Sequence, residues 1–213
     1  MEAGLRERKK ERTRREIADA ARRLFGERGF DRVTVAEVAR AADVSPQTVF
    51  NYFPTKEDLF FWRLGAFEED MLAAVRDRPA GESAVAAYRR FLVGQPGLLG
   101  RRDPQSREQL AALNRTIFES PSLRAREEQI LAGYTRSLAA LLAEEAGARA
   151  DDIGARVAAT AMMGVHRALI DYTRRRVLEG KLGPRLPRDV RARADEAFAL
   201  LGSGLRDYAV RAG

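Results

Sequence analysis

The stretch VTVAEVARAADVSPQTVFNYFPTKEDL, residues 33 to 59, constrains this chain more than any other feature, because it contains two short helix signatures separated by a turn. Thr34 and Glu37 form a capping-box pattern, which predicts a helix that begins near Val35. Asp43-Val44-Ser45 then interrupts the helical spacing of apolar residues, since Asp tolerates left-handed and turn conformations. The pattern predicts one short helix followed by a three-residue turn.

The residues after this turn predict a second short helix, from Pro46 to about Tyr52. Ser45 is a good N-cap, and proline is favoured at the first helical position. The helix ends before Pro54, because the residue before a proline is disfavoured in the helical region. A third helix is predicted from Lys56. Two short helices joined by such a turn are typical of a helix-turn-helix that reads DNA.

The second helix carries polar side chains near its N-terminal end, where a recognition helix meets base edges in the major groove. The candidates for base contacts are Gln47, Thr48 and Asn51. Contacts to phosphate oxygens position a protein on DNA without reading sequence. The candidates for phosphate contacts are Thr34, Ser45, Tyr52 and Lys56. Each polar residue alone is more often a solvated surface residue, but the set at this spacing favours DNA binding, with Val49 and Phe53 predicted in the core.

The first third of the chain resembles the DNA-binding domain of the TetR family of bacterial transcription regulators. A capping box at residues 13–16 begins a long first helix that ends at a Gly-Phe pair, Gly29-Phe30. A second family pattern, Val-Ser-x-x-Thr-x-Phe/Tyr-x-Tyr-Phe-x-Ser/Thr-Lys-Glu, is met by Val44, Ser45, Thr48, Phe50, Tyr52, Phe53, Thr55, Lys56 and Glu57. Asp43 and Gln47 depart from the pattern, since glycine is frequent at both positions. We expect Gln47 to alter base preference, because it adds a donor and an acceptor.

The resemblance implies an all-α fold with a three-helix helix-turn-helix domain followed by a helical bundle that binds an effector and dimerises. The expected organisation is a basic flexible arm at 1–12, the DNA-binding domain at 13–60 and the C-terminal domain at 61–213. Apolar spacing predicts one helix from Lys56 to about Val75 that links the two domains. The further predicted helices cover residues 82–93, 106–118, 121–145, 152–179 and 188–212, with a helical turn at 98–100.

Charge is concentrated at the start of the chain. The net charge is +7 and the sequence pI is near 10.2, which suits a nucleic-acid partner. Residues 1–15 carry seven basic and three acidic side chains. Two interpretations stay open for this arm: a solvated disordered tail, or an arm that lies along DNA phosphates or in the minor groove.

Several classes of function are disfavoured by what the chain lacks. It contains no cysteine and a single histidine, His166, so thiol chemistry is excluded and a histidine-rich metal site is disfavoured. No catalytic motif is present, and we expect no enzymatic activity, no cofactor and no metal. No apolar stretch approaches the ~20 residues that span a bilayer, and no apolar segment follows the basic start. The sequence therefore predicts a cytoplasmic protein that binds double-stranded DNA and no membrane.

The last two predicted helices are separated by a Gly- and Pro-rich connection, residues 180–187, and are predicted to form a hairpin with small and apolar faces. In the resembled family this pair packs against its twofold mate as a four-helix bundle. The dimer-interface candidates are Val157, Ala161, Ala168, Phe198, Leu201 and Leu205. Packing within one chain alone is the alternative. A twofold dimer would place two recognition helices about 34 to 36 Å apart, which predicts an inverted-repeat operator.

Aromatic and sulfur-containing residues on several helices are candidates for an effector pocket with few polar groups. They are Phe91, Phe118, Tyr134, Met162, Met163, His166 and Tyr172. Each one singly is more often an ordinary core residue. Met163 and His166 lie one turn apart, so His166 is a candidate hydrogen-bonding partner for an effector head group.

The run Ser-Pro-Ser-Leu-Arg-Ala-Arg-Glu, residues 120–127, resembles a stretch in mycofactocin-associated, acyl-CoA-responsive regulators. This resemblance implies an acyl-CoA-like effector whose phosphates meet Arg124 and Arg126, with a solvated charged helix face as the alternative. The favoured hypothesis is a ligand-responsive repressor that binds DNA as a homodimer. The second is a DNA-binding dimer without an effector, constitutive or architectural, and a helical enzyme is the remote third.

Overall fold

The computed structural model describes residues 2–62, 64–94, 104–149, 151–181 and 183–204. Within these ranges the chain forms ten helices and no strand, which confirms the predicted all-α class. The helices are α1 Glu2–Arg28, α2 Val35–Ala41, α3 Pro46–Tyr52, α4 Lys56–Phe61, α5 Leu64–Arg76, α6 Ala84–Gly94, α7 Pro104–Glu119, α8 Pro121–Glu145, α9 Ile153–Leu178 and α10 Leu186–Ser203.

The chain divides into two compact units. Unit 1 contains Met1–Phe67 together with the short segment Phe118–Arg126, and unit 2 contains Glu68–Ile117 and Glu127–Gly213. The boundary at residue 60 that the sequence predicts does not include the second segment of unit 1, because this segment lies within the range expected for the C-terminal domain.

Helix α1 is longer than the sequence suggested. Residues 2–12, expected to form a flexible arm, continue the helix without interruption. Acidic and basic side chains four residues apart pair along this stretch, including Glu11 with Arg15 and Arg12 with Glu16, both at 2.9 Å. Such pairs of opposite charge at this spacing favour a continuous helix.

The core of unit 1 forms where α1 packs on α2 and α4, and α2 packs on α3. Val49 and Phe53 are buried, as predicted. Three aromatic rings add a cluster between the end of α1 and α4: Phe30 lies 5.1 Å from Phe25 and 5.6 Å from Phe60, between ring centroids. These contacts hold α2 and α3 in a fixed orientation on the scaffold of α1 and α4.

The turn between α2 and α3 has the geometry that its sequence predicts. Asp43 has a φ of +53°, in the left-handed region where glycine is common and Asp is tolerated. The Asp43 N–H donates to the carbonyl of Arg40 at 3.3 Å, and the Val44 N–H donates to the carbonyl of Ala39 at 3.0 Å. This pair of bonds is the Schellman pattern that ends a helix, and it satisfies two carbonyls of α2.

The predicted linking helix from Lys56 to Val75 is two helices in the structure. Helix α4 ends at Phe61 with Trp62 as its C-cap, and α5 begins at Leu64. Gly65, in the first turn of α5, is a weak helix former, which favours an interruption here over a continuous helix.

Unit 2 is organised around the C-terminal hairpin. Helices α9 and α10 pack on each other, and both pack on α6, which confirms the predicted pairing of the last two helices. Asp152 caps α9 by accepting a hydrogen bond from the Ala155 N–H at 2.7 Å. Ion pairs between Arg174 and Glu127, and between Arg78 and Glu145, each at 2.7 Å, tie α8 to other parts of this unit. The predicted turn at 98–100 lies outside the described residues.

Candidate functional site

Helix α3, the predicted recognition helix, begins with a well-formed cap. The Ser45 hydroxyl oxygen accepts a hydrogen bond from the Thr48 N–H at 3.0 Å, and the two hydroxyls lie 2.8 Å apart. Thr48 is half-buried. The Ser45 hydroxyl is a candidate for a phosphate contact, and the Thr48 hydroxyl is a candidate for a base contact. Both hydroxyls therefore also take part in the cap that positions the helix.

The other two base-contact candidates, Gln47 and Asn51, are exposed and lie on one face of α3. The structure brings them together, because the Gln47 Nε2 donates a hydrogen bond to the Asn51 Oδ1 at 3.1 Å. An exposed pair of side-chain amides offers both donors and acceptors to base edges in the major groove.

Phe50 is a candidate that the sequence analysis missed. Its ring is 45% exposed, although Val49, directly before it, and Phe53, three residues after it, are both buried in the core. It is three residues after Gln47, so both lie on the exposed face of α3. An exposed aromatic ring there is suited to apolar contact with the methyl group of thymine. The family pattern contained this position, but only the structure reports its exposure.

The phosphate-contact candidate Thr34 is engaged in the capping box of α2. Its hydroxyl donates to the Glu37 carboxylate at 2.8 Å, and the Glu37 N–H donates back to it at 3.3 Å. Hydrogen bonds from the Thr34 backbone N–H and from the Arg28 guanidinium lower the pKa of Glu37 to about 2. A phosphate at this helix end would therefore meet a carboxylate that is charged at pH 7.

Lys56 lies at the start of α4, and its ammonium group is 4.2 Å from the centroid of the Phe30 ring. Its Nζ also donates to the backbone carbonyl of Asp31 at 3.5 Å. These contacts fix the position of a half-buried cation on unit 1. Tyr52, at the end of α3, is also half-buried.

The segment 118–126 is bound within unit 1 by two polar contacts. The Arg126 guanidinium donates twice to the Asp58 Oδ1, at 2.9 and 2.6 Å, while Asp58 Oδ2 accepts from the Thr55 N–H and hydroxyl that cap α4. The Ser120 hydroxyl donates to the Asp31 carboxylate at 3.1 Å. Sequence reasoning missed Asp58 and Asp31 as partners, since they lie far from this segment along the chain.

The two arginines expected to meet acyl-CoA phosphates have other partners in the structure. Arg126 pairs with Asp58, as described. Arg124 donates to the carbonyl of Phe118 and lies 5.9 Å from the centroid of its ring. Both contacts belong to unit 1, so the structure gives these arginines a role in packing this segment.

Three of the effector-pocket candidates lie on the buried face of α9: Met162, Met163 and His166. Tyr88 of α6 joins two of them, because its hydroxyl is 3.1 Å from the Met163 Sδ and 3.2 Å from the His166 Nδ1. Burial, with a smaller effect of the Arg167 charge, lowers the pKa of His166 to about 4. His166 is therefore neutral at pH 7, and Tyr88 is a polar neighbour that sequence reasoning missed.

The remaining pocket candidates differ in their burial. Tyr134 is buried, and its pKa is raised by burial and by the charge of Glu68. Phe91 and Tyr172 are half-buried in unit 2. Phe118 is 47% exposed and belongs to unit 1, whereas His166 belongs to unit 2.

One buried polar atom near the same face of α9 has no hydrogen-bond partner among the described residues. It is the hydroxyl oxygen of Thr173, a residue that is 97% buried. Thr173 lies two turns after His166, so the two side chains share one side of the helix. Buried polar atoms are usually hydrogen-bonded, so this hydroxyl is a candidate contact for a ligand or a water molecule.

The dimer-interface candidates fall into two groups. Val157 is 62% exposed and lines an open groove of about 420 Å³ with Ala161 and three neighbours, Ile153, Arg156 and Thr160. Ala168 is exposed and Leu201 is half-buried, whereas Leu205 lies outside the described residues. Phe198 differs from the expectation: it is 4% exposed and packs 6.0 Å from the Tyr88 ring, so its side chain belongs to the core of its own chain.

Neither a metal site nor a membrane span emerges from the described part of the chain. No group of three or more His, Cys, Asp or Glu side chains there is arranged to hold a metal ion. None of its helices is both long enough and apolar enough to cross a bilayer.

Two family models match the chain. Residues 17–61 match the bacterial regulatory proteins of the tetR family, and this range covers the C-terminal part of α1, from Ile17 to Arg28, together with α2, α3 and α4. Residues 97–206, more than half of the chain, match the MftR C-terminal domain.

Curated relatives are transcription regulators, not enzymes. TcmR of Streptomyces glaucescens is 40% identical over 84 residues, which cover 39% of this chain and 37% of TcmR, so the match spans well under two thirds of that protein. MftR of Mycobacterium tuberculosis is 26% identical over 165 residues, 74% of this chain and 78% of MftR.

Solved structures share the fold. NalD, the secondary repressor of the MexAB-OprM efflux pump in Pseudomonas aeruginosa, aligns with a TM-score of 0.56 at 18% identity, over 89% of this chain and 96% of NalD. FadR of Thermus thermophilus, solved with lauroyl-CoA, aligns with a TM-score of 0.52 at 22% identity, over 94% and 100%. With the two family models, the capped α3 and the helical C-terminal unit, these findings lead to one conclusion: the chain belongs to the TetR family of DNA-binding transcription regulators.

Proposed function

We propose that this TetR-family regulator is a repressor that binds an inverted-repeat operator as a homodimer and is released by a small apolar or amphipathic effector. The observation that carries the proposal is the exposed face of α3, where Gln47, Phe50 and Asn51 are displayed on a helix whose opposite face is core. Such a face fits the major groove, where base edges are distinguishable.

The dimer is supported by the exposed apolar residues of α9. Ile153 is 76% exposed and Val157 is 62% exposed, next to the groove described above. Regulators of this family bind DNA and form dimers. A twofold dimer presents the same surface twice and reads two half-sites in opposite orientation, so the operator is an inverted repeat.

The effector proposal rests on α9. His166 is neutral and buried, and the Thr173 hydroxyl lacks a partner among the described residues. Together they would give an apolar site two polar groups. The match to the MftR C-terminal domain and the fold shared with FadR make acyl-CoAs the first effector class to test. We do not propose that Arg124 and Arg126 bind the phosphates of such an effector, because both arginines have partners in unit 1.

Release from DNA requires that the effector bind one state of the dimer more tightly than the other. Helix α8 is suited to carry this change, since its first residues belong to unit 1 and the rest to unit 2. The Arg126–Asp58 pair links the start of α8 to the capping residue of α4. An effector that moves α8 would therefore act on the support of the recognition helix.

The alternative is a DNA-binding dimer without an effector, a constitutive or architectural regulator. The packing around Tyr88 favours it, because Tyr88 and Met163 are completely buried and His166 is 5% exposed. In this case the C-terminal unit would serve dimerisation alone, and the polar contacts of Tyr88 would be structural.

The first experiment is to incubate the purified protein with sheared genomic DNA of its source organism and to sequence the retained fragments. Enrichment of one or a few inverted repeats is the expected result. Uniform, salt-sensitive retention would instead show that the protein binds DNA without choosing a sequence, which would favour the architectural alternative.

The enriched operator then becomes the probe for effectors. Long-chain acyl-CoAs are expected to raise the melting temperature of the protein and to weaken its affinity for the operator. If acyl-CoAs change neither quantity, this effector class is removed, while the dimer and operator proposals stand.

A further inference from the structure

We infer that the basic start of α1 is a rigid helical clamp for DNA phosphates, and that one of its faces, carrying Lys10 and Arg14, makes the contacts. These phosphates lie outside the base pairs that α3 reads. The inference rests on the proposed DNA complex with α3 in the major groove. Of the two interpretations of the arm that the sequence left open, it favours the contact with DNA over the disordered tail.

Residues 8–16 of α1 are helical, although none of their side chains is buried. The buried stripe of α1 starts at Ile17, while Arg8, Lys9, Lys10 and Arg14 are exposed. A helix that extends beyond its core gains little from packing, so it depends on side-chain pairs along its own surface. Its exposed basic side chains are held in fixed positions only as long as the helix is continuous.

Ion pairs divide the basic residues of this stretch into two classes. Arg12 pairs with Glu16, and Arg15 pairs with Glu11. Within the described part of the chain, Lys10 and Arg14 have no carboxylate partner. They are four residues apart, so they stand one above the other on the same face of α1.

The face that carries Lys10 and Arg14 begins beside the end of α3. The Arg14 guanidinium lies 5.5 Å from the centroid of the Phe53 ring, and Phe53 is the C-cap of α3. Tyr52, the last residue of α3, is a candidate for a phosphate contact. Lys10 lies one turn, about 6 Å, farther along the axis of α1. Arg14 and Lys10 therefore form a row of positive charge that continues outward from the end of the recognition helix.

A clamp and a tail differ in one measurable respect. A flexible tail delivers its charge whichever residue carries it, whereas a clamp uses only the charges on the face that meets the phosphates. Lys9 provides the matched control, because it is also an exposed lysine without a carboxylate partner among the described residues. It is adjacent to Lys10 but turned about 100° away around the helix.

The test measures affinity as a function of salt concentration for a 30-base-pair duplex of mixed sequence, with the full-length protein and its Lys10→Ala and Lys9→Ala variants. Each lost phosphate contact lowers the slope of log K against log salt by about 0.9. We expect Lys10→Ala to lower the slope by about that amount per protomer and Lys9→Ala to leave it unchanged. Equal losses in both variants, or no loss in either, would overturn the clamp.

A second pair of variants tests the rigidity of the arm. Glu11→Pro interrupts the helix after Lys10, and Glu11→Ala removes the same carboxylate but keeps the helix. We expect the proline variant to lose as much slope as Lys10→Ala and the alanine variant to keep the wild-type slope or exceed it. A proline variant with the wild-type slope would overturn a rigid clamp. Melting temperatures of the four variants report whether the fold is intact.

The failure of this inference is distinguishable from failure of the proposed function. If the genomic selection yields inverted repeats but Lys10→Ala keeps the wild-type slope, only the clamp is overturned. If no repeat is enriched while Lys10→Ala lowers the slope and Lys9→Ala does not, the clamp stands and the sequence-specific repressor does not.

Discussion

The side-chain amide of Gln47 donates a hydrogen bond to the amide oxygen of Asn51, 3.1 Å away and one turn later on α3. This contact occupies one of the two lone pairs of the Asn51 Oδ1 and leaves both hydrogens of its Nδ2 available. Asn51 can therefore still donate to a base acceptor and accept from a base donor, as in the bidentate contact of an asparagine with the N7 and N6 of adenine. Gln47, at a position where related sequences frequently have glycine, acts on Asn51 as well as on DNA.

The first prediction is that Gln47 and Asn51 read DNA as a coupled pair. Asn51→Ala should weaken operator binding by about 1 to 3 kcal/mol and relax preference at one base pair. Gln47→Ala should relax preference at that same base pair, because it leaves Asn51 unoriented. A double-mutant cycle on the operator and its single-base variants is expected to give a coupling energy above ~0.5 kcal/mol. Additive effects would show that the two residues act independently.

The second prediction concerns Lys56. Lys56→Ala should weaken binding to all duplexes alike and lower the salt slope by about one, because a phosphate contact carries no sequence information. It should also cost about 0.5 to 1 kcal/mol in the free energy of unfolding, through the lost cation–π contact with Phe30. Affinity titrations at several salt concentrations and urea unfolding measure the two effects separately. An unchanged slope would show that Lys56 serves the fold and not DNA.

The third prediction concerns the exposed face of α9. Val157→Glu should convert the dimer to a monomer without unfolding it, because the side chain is 62% exposed in a single chain. Leu113→Glu is the matched control, since Leu113 is an exposed apolar residue of α7, outside the last two helices, with 44% exposure. Sedimentation measures the mass of each variant. If both variants remain dimers, the dimer interface does not include Val157.

The fourth prediction is a loss of stability at mildly acid pH through His166. Its pKa is about 4 in the folded protein against an ordinary value of 6.5, so below pH 6.5 the unfolded chain takes up a proton that the folded chain refuses. Stability should fall as pH decreases, by about 2 kcal/mol between pH 7 and pH 5.

His166→Gln provides the control for this effect, because glutamine can still bond to the Tyr88 hydroxyl but does not titrate. Urea unfolding at the two pH values should give a smaller loss for the variant by about 2 kcal/mol. His166 is the sole histidine of the chain, so no other imidazole contributes to the difference. Equal losses in both proteins would mean that His166 is protonated as easily in the folded state as in the unfolded one.

Local features were well predicted because they depend on neighbours in sequence. The capping box at Thr34, the left-handed turn at Asp43 and the proline start of α3 all follow from contacts within five residues. The buried Val49 and the hairpin of α9 and α10 follow from apolar periodicity. The boundaries of α4 and α5 were less well predicted, because continuous apolar spacing does not reveal where a helix is interrupted.

Residue roles that depend on distant parts of the chain were not predicted. Phe198 has the apolar character of an interface residue, yet Tyr88, 110 positions earlier, buries it within one chain. Arg126 has the charge to bind a phosphate, yet Asp58 holds it in unit 1. In both cases the residue type indicates what kind of contact the side chain makes, but it does not indicate which distant residue is the partner.

The sequence by itself determined the helical class, the helix-turn-helix and the family, since caps, turn residues and periodicity act over a few residues. Only the tertiary structure decided that Tyr88 meets His166, that Asp58 pairs with Arg126, and that Arg14 lies beside the end of α3. The physical reason is that hydrogen bonds and ion pairs act over a few ångströms. Which side chains come within that distance depends on how helices pack and on rotamers, and neither is encoded in local spacing.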